Sequence, residues 1–408
     1  MLTIAPVPDD MFAPDVIADP YAYYGRLRDA DPIHWNETYA LWVVTRYHDV
    51  VWLTRHHELF SSAVFRNDKR PAYPAIDESD LGLYDYVRNY QGDQFIQHDR
   101  PEHLEMRRVM HSYFTPRQME AWRPFVRDAV KELLDAAEAK GHMDVMRDLA
   151  TPLPVMVIAQ MMGVPASDRP YVRQLAEKLL YIGRGEYDRM RPLTEGMRGM
   201  IDYVSPLVDE RIVNPGDDFI SVLARGEKQG VFSRHQVLVN TSLLLLAGHE
   251  TTINLLCNGT LAFTRHPDQW AVFKQDPAGR AKQATEECLR YDAPVISIQR
   301  IASQDVELRD KVLRKGDRIR WFISSANRDP DAFPSPETFD IDRHPNQHVA
   351  FGSGTHHCLG ATLARVEGQE VFKALAERFP DLRAETRGLE YQPSITFRSL
   401  KSLPVTWH

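Results

Sequence analysis

The chain has 408 residues, 43% hydrophobic and 26% charged, and its 49 Lys and Arg against 57 Asp and Glu leave a net charge of −8. That is ordinary globular chain, long enough to bury a large core and too acidic on balance for a generally basic nucleic-acid-binding surface. No run approaches the ~18 consecutive apolar residues of a membrane span, the amino terminus lacks a cationic signal-peptide start, and Cys257, Cys288 and Cys358 are too scattered and odd in number for a disulfide framework, so a cytoplasmic protein without membrane contact is expected.

In chain order, residues 41–45 read as a short strand. Residues 118–141, rich in Ala, Leu, Val and charged side chains and closed by Gly141, predict one solvent-facing helix. Ser233 and Gln236 have capping-box spacing and Pro267 is the next breaker, so residues 233–267 predict a helix of about 33 residues, roughly 50 Å long at ~1.5 Å per residue. A helix of that length crosses a whole globular domain. Short strands follow at 306–308 and 318–323, with Gly316-Asp317 as a turn, and a second strong helix at 362–378 follows a Gly-rich stretch. With no repeat, low-complexity tract or Gly/Ser linker, one domain over residues 1–408 is the simpler organisation. The proportions predict a mainly α fold with small sheets at its edge.

The chemistry concentrates in Phe351-Gly352-Ser353-Gly354-Thr355-His356-His357-Cys358-Leu359-Gly360. Glycines on both sides of Cys358 let the backbone approach a flat ligand. The helix that follows turns free N–H groups and a positive dipole end toward the sulfur, an environment expected to favour thiolate. A thiolate is a strong metal ligand, and on haem iron it pushes electron density that favours O–O cleavage. A lone Cys is ordinarily a small buried hydrophobe; the glycines and histidines set this one apart.

Residues 351–365 read F-G-x-G-x-H-x-C-x-G-x-x-L-A-R. This resembles the haem-binding loop of bacterial soluble cytochrome P-450 enzymes, the haem-thiolate monooxygenases. The resemblance implies haem b (iron protoporphyrin IX) with Cys358 as the proximal metal ligand, Phe351 near the sulfur side of the porphyrin, His356 at a haem propionate, and Gly352 and Gly360 in the cofactor loop. His357 falls at a variable position and is read as a surface or packing residue.

The long helix carries Ala247-Gly248-His249-Glu250-Thr251-Thr252 amid apolar residues, and polar groups in a buried helix are costly unless something uses them. Taken alone this is a kinked core helix whose Thr side chains bond back to carbonyls, with the Gly loosening the ladder. It is similar, however, to the family's oxygen-activating motif. That likeness implies Thr251 as hydrogen-bond partner of bound oxygen, Glu250 as acid in the proton relay, and Leu243, Ala247 and Gly248 lining the pocket.

Glu287 and Arg290 are spaced for an ion pair on one helix face, and Glu287-Cys288-Leu289-Arg290 resembles the family's structural E-x-x-R. The family's third partner, an Arg in P-x-R-F, is Thr338 here, so Arg343 or His344 is expected to substitute. His103, Arg107 and Arg300 match family positions that bind the propionates, which need cationic partners. The likeness implies a helical, haem-enclosing cytochrome P-450 fold.

The implied activity is insertion of one atom of O2 into a small, largely apolar organic substrate, hydroxylation by default, with a haem-thiolate peroxygenase using hydrogen peroxide as the alternative. The chain has no G-x-G-x-x-G fingerprint and no ferredoxin cysteines, so electrons are expected from a separate ferredoxin with an NAD(P)H-dependent reductase. Arg107, Arg108, Arg117, Arg123 and Arg127 form a basic region suited to such an acidic partner. A monomer is expected, without nucleic-acid partners. The resemblance implies that segments 61–97 and 171–204 shape the pocket, and Tyr84, Tyr86, Tyr90, Phe95, Leu179, Leu180, Tyr181, Val295 and Ile296 read equally as its apolar and aromatic lining or as hydrophobic core.

Overall fold

The computed structural model describes residues 10–67, 78–179 and 190–407. Leu180 and Tyr181 lie outside the described residues. The architecture is mainly α with small sheets at one side. Its organising element is the helix Arg234–Arg265, entered through a capping box in which Ser233 and Gln236 satisfy each other's backbone N–H groups. His266 ends it and Pro267 opens the next helix. Buried residues occur all round this helix, as befits an element crossing the core rather than coating it. Among the described residues, no helix is long and apolar enough to cross a membrane.

Three elements position the chemistry against it. Helix Pro277–Tyr291 packs on helix Ala361–Arg378, and both pack on the central helix. A five-stranded sheet runs in the order Ile33–Asn36, Leu41–Val44, Arg318–Phe322, Ser297–Ala302, Phe60–Ser61, with the second and third strands parallel and the other pairs antiparallel. The hairpin Val306–Leu308 with Lys311–Leu313 forms a separate two-stranded sheet.

The expected helix at 118–141 is two. Pro116–Glu120, capped by Thr115, stops at Ala121, and Arg123–Glu138 starts anew with Pro124 in its first turn, where the missing N–H costs nothing. Nor is it simply solvent-facing, because Val126, Ala129, Val130, Leu134 and Ala137 are buried on one side.

Candidate active site

Between Val237 and Phe263 of the central helix every position is buried except Leu244, Leu246, Ala247, Gly248 and Thr251. Leu244, Ala247, Gly248 and Thr251 are spaced i, i+3, i+4 and i+7, hence on one face. This core helix is accessible on a single short face, with Ala247 exposed. Leu243, expected on that face, is instead 5% exposed and packed in the core. Seven residues, two turns, bring Leu244 above Thr251; eight overshoot.

Thr251 Oγ1 donates to the Ala247 carbonyl at 2.6 Å, so the threonine does bond back, on the accessible face. Glu250 is 4% exposed. His249 is wholly buried with Nε2 at 3.1 Å from the Thr151 carbonyl, and burial pushes its imidazole down to about 4. The helix remains α through this stretch, so Gly248 does not break it. The glycine instead admits a neighbour, since a Cβ there would come within 2.6 Å of Ile158 Cδ1.

The cysteine loop is built by its glycines. Gly352 and Gly354 take φ of +67° and +73°, where side chains are disfavoured, and a Cβ on Gly354 would come within 2.4 Å of the Thr54 carbonyl. Cβ atoms on Gly352 or Gly360 would meet nothing within 4 Å. The Cys358 N–H donates to the Phe351 carbonyl at 2.9 Å, closing the loop, and Gly360 leads into helix Ala361–Arg378. Cys257 and Cys288 are buried while Cys358 is accessible. Burial nevertheless pushes the Cys358 thiol up, against the pull of the Gly360 N–H, Arg107 and Arg365. Desolvation by the surrounding protein prevails until a cation meets the sulfur.

Beside this loop the chain gathers positive charge. His103 is fully buried, its ring stacked on Phe95 at 5.7 Å and on His356 at 3.9 Å between centroids. His356 Nε2 lies 2.8 Å from Ser62 Oγ. Arg300 sits with its guanidinium 5.4 Å over the Trp321 ring and donates to the Gln299 carbonyl at 2.8 Å. Arg107 Nη2 donates to the His357 carbonyl at 2.7 Å, tying its helix to the cysteine loop. His357 itself is exposed.

Behind the loop, Glu287 and Arg290 are 0% exposed and joined at 2.8 Å. Arg343 Nε is the third partner, 3.3 Å from Glu287, and Asn346 adds a bond at 3.1 Å, while His344 is exposed. Arg290 also donates to the carbonyls of Asn327, Pro336 and Thr338. Thr338 thus serves through its backbone.

A Cytochrome P450 family model matches residues 281–386, the stretch from the E-x-x-R helix through the cysteine loop. The chain is 35% identical over 97% of its length to cytochrome P450 CYP107DY1 of Priestia megaterium, covering 98% of that protein. The chain belongs to the cytochrome P450 family. Its structure is similar to that of the bacillaene polyketide synthase cytochrome P450 PksS of Bacillus subtilis, at a TM-score of 0.87, 33% identity and coverage of 98% and 99% of the two chains. It is also similar to P450BioI in complex with hexadec-9Z-enoic acid ligated acyl carrier protein, at a TM-score of 0.84, 32% identity and coverage of 97% and 99%. This P450 is therefore a haem-dependent monooxygenase of bacterial type that acts on small organic substrates, with haem b as its cofactor.

The residues present fit that group. Both ring nitrogens of His103 are buried without a hydrogen-bond partner among the described residues. Burial and the neighbouring Arg107 and Arg300 push His103 down to about 4, burial and the same cations push His356 down to about 2, and burial pushes Arg300 down to about 10. Side chains held below their usual values by burial and by one another's charge suit two propionates. The open space at Gly352 and Gly360 suits a flat ring.

Of the expected lining, Tyr90, Phe95 and Leu179 share the main core with Leu243, and Tyr84 and Tyr86 pack against it. Val295 packs on the sheet cluster. Ile296, which like Val295 precedes the strand Ser297–Ala302, joins a third cluster with Tyr24 and Phe322.

Glu367 was missed. It is 2% exposed, accepts a hydrogen bond from Thr252 at 3.3 Å, and is pushed up to about 8 by burial. Its sequence signal was a carboxylate on the face of Leu363, Val366 and Val371.

Proposed function

We propose that Cys358 is the axial iron ligand, that His103, Arg107, Arg300 and His356 hold the propionates, and that Thr251 with Glu250 manages protons for oxygen in a small-molecule hydroxylation. The observation that carries this reading is the accessible stripe at Ala247, Gly248 and Thr251 on an otherwise buried helix, in a fold whose accessible cysteine lies in a glycine-built loop. When bound, haem b supplies the reductive activation of O2, with the thiolate favouring O–O cleavage. The chain supplies orientation and proton control. With its hydrogen on the Ala247 carbonyl, Thr251 Oγ1 keeps its lone pairs free to accept on the accessible face, and it donates there once that bond turns over.

The whole chain acts as one cytoplasmic domain that draws electrons from a separate ferredoxin and reductase. Arg123 and Arg127 both reach Glu370, which leaves exposed Arg108 and Arg117 as the stronger part of the basic docking face. Arg108→Glu with Arg117→Glu should slow ferredoxin-driven turnover and spare peroxide-driven turnover; equal loss in both removes the docking role. Likeness to P450BioI supports a second reading of the substrate as an acyl chain presented on a carrier protein. A haem spectral shift on titration with acyl carrier protein but not with the free acid would favour it.

The test of the central reading is the spectrum of the dithionite-reduced protein with carbon monoxide. A strongly red-shifted Soret band in the wild type that disappears in Cys358→Ser is expected. A band unchanged by the substitution overturns it.

A further inference from the structure

Glu286 neighbours the structural Glu287 but turns to a different task. Its carboxylate accepts two hydrogen bonds from Arg365, from Nε at 2.7 Å and from Nη2 at 2.9 Å. His348 Nε2 lies 3.1 Å from the same carboxylate. The other ring nitrogen of His348, Nδ1, accepts the Ala350 N–H at 3.2 Å, so the ring hydrogen is on Nε2 and points at Glu286. Burial works against the charge on Glu286, but the bonds from His348 and Arg365 hold its carboxyl down at about 2.

Both arms end at Phe351. Arg365 places its guanidinium 4.4 Å from the centroid of the Phe351 ring, within cation–π reach, and His348 holds the backbone at Ala350, the residue before it. The Phe351 carbonyl in turn accepts the Cys358 N–H. Arg365 therefore places its charge on the ring of the residue that binds the Cys358 N–H, beside the cysteine loop. A carboxylate fixed on Arg365 screens that cation as seen from the sulfur.

Taking Cys358 as the iron ligand, as argued above, we infer that Glu286 is a positioning residue that sets how readily the haem iron is reduced, by neutralising Arg365 and holding it and His348 against Phe351. The electrostatic sign is definite. Reduction adds an electron beside the thiolate, so an uncompensated Arg365 favours the reduced state and loss of Arg365 disfavours it. A purely structural brace would give both substitutions the same sign, or none.

The experiment is equilibrium dye titration of the haem-loaded protein, wild type against Glu286→Gln, Arg365→Met, the double variant and Arg365→Lys, with the reduced carbon monoxide spectrum recorded for each. At a poise that half-reduces the wild type, Glu286→Gln should raise the ferrous-to-ferric ratio about threefold or more, and Arg365→Met should lower it comparably. The double variant should return near the wild-type ratio, and Arg365→Lys, which keeps the charge, should stay closer to wild type than Arg365→Met. Unchanged ratios, or shifts of one sign in both single variants, overturn the inference while a red-shifted carbon monoxide band leaves the ligand assignment standing. Loss of that band from the wild type itself would overturn both.

Discussion

Thr251 and Ala247 share the accessible face of the central helix, joined by a 2.6 Å hydrogen bond from the threonine hydroxyl to the alanine carbonyl. The hydroxyl is therefore held in one orientation at the place where oxygen chemistry is proposed. Replacing Thr251 by Ala should let reductant consumption continue while hydrogen peroxide release per reductant rises severalfold and product falls about 10²-fold, the scale of a lost proton-transfer group. Thr251→Ser should retain most coupling. Equal coupling in Thr251→Ala and wild type would remove the residue from the relay.

Arg300 gives a prediction with opposite signs in two measurements. Its guanidinium is pushed down by burial, with Asp99 the acid acting on it. Arg300→Leu removes a desolvated cation, so the haem-free protein should be no less stable than wild type. The same variant should retain less haem. Haem-to-protein ratio after gel filtration and thermal melting of the haem-free form check the two halves; undiminished haem would take Arg300 out of the propionate cradle.

The Glu287 network should be the most sensitive structural point. Glu287→Gln leaves buried Arg290 and half-buried Arg343 without their anion, a loss of about 3–5 kcal/mol. Arg343→Lys, which keeps charge but not the fork of donors, should cost less. Urea midpoints rank the two, and a milder effect in Glu287→Gln than in Arg343→Lys would contradict the network as drawn.

Two buried groups predict how stability bends with pH. Glu367 is raised from an ordinary carboxyl value to about 8, so between about 4.5 and 8 the folded chain keeps a proton the unfolded chain has lost. Its contribution is complete below 4.5 and is lost as pH rises. Glu367→Gln should therefore gain on wild type by a few kcal/mol, roughly, at pH 8 and much less at pH 5. His249 is lowered from about 6.5 to about 4, so the unfolded chain takes up the proton first and stability is lost as pH falls through that window. His249→Gln should flatten the acid limb alone. Urea midpoints at pH 5, 6.5 and 8 test both, and parallel curves for the variants and wild type would count against these environments.

Helix boundaries set by local chemistry were readable directly. The Ser233 capping box, Pro267 and the helix after Cys358 depend on residues within a few positions of one another, and the structure places them within a residue or so of expectation. Leu243 and the 118–141 segment went astray for equally local reasons, an overshoot of one residue on the helix and a proline that starts a second helix. The choice of Arg343 over His344 needed the fold, because both lie near Glu287 in any linear reading and only backbone course decides which one reaches it.

By itself the sequence determined the family and the cofactor and singled out residues 247–252 and 351–360, since glycine placement, cysteine and hydroxyl spacing are properties of a dozen neighbouring residues. Tertiary structure decided what those residues touch. His103 stacks on His356 across 253 positions, and Glu286 reaches Arg365 across 79. Burial then decides charge: the same fold that gathers the cations beside the cysteine loop also desolvates them, and that balance follows from packing across the whole chain rather than from any segment of it.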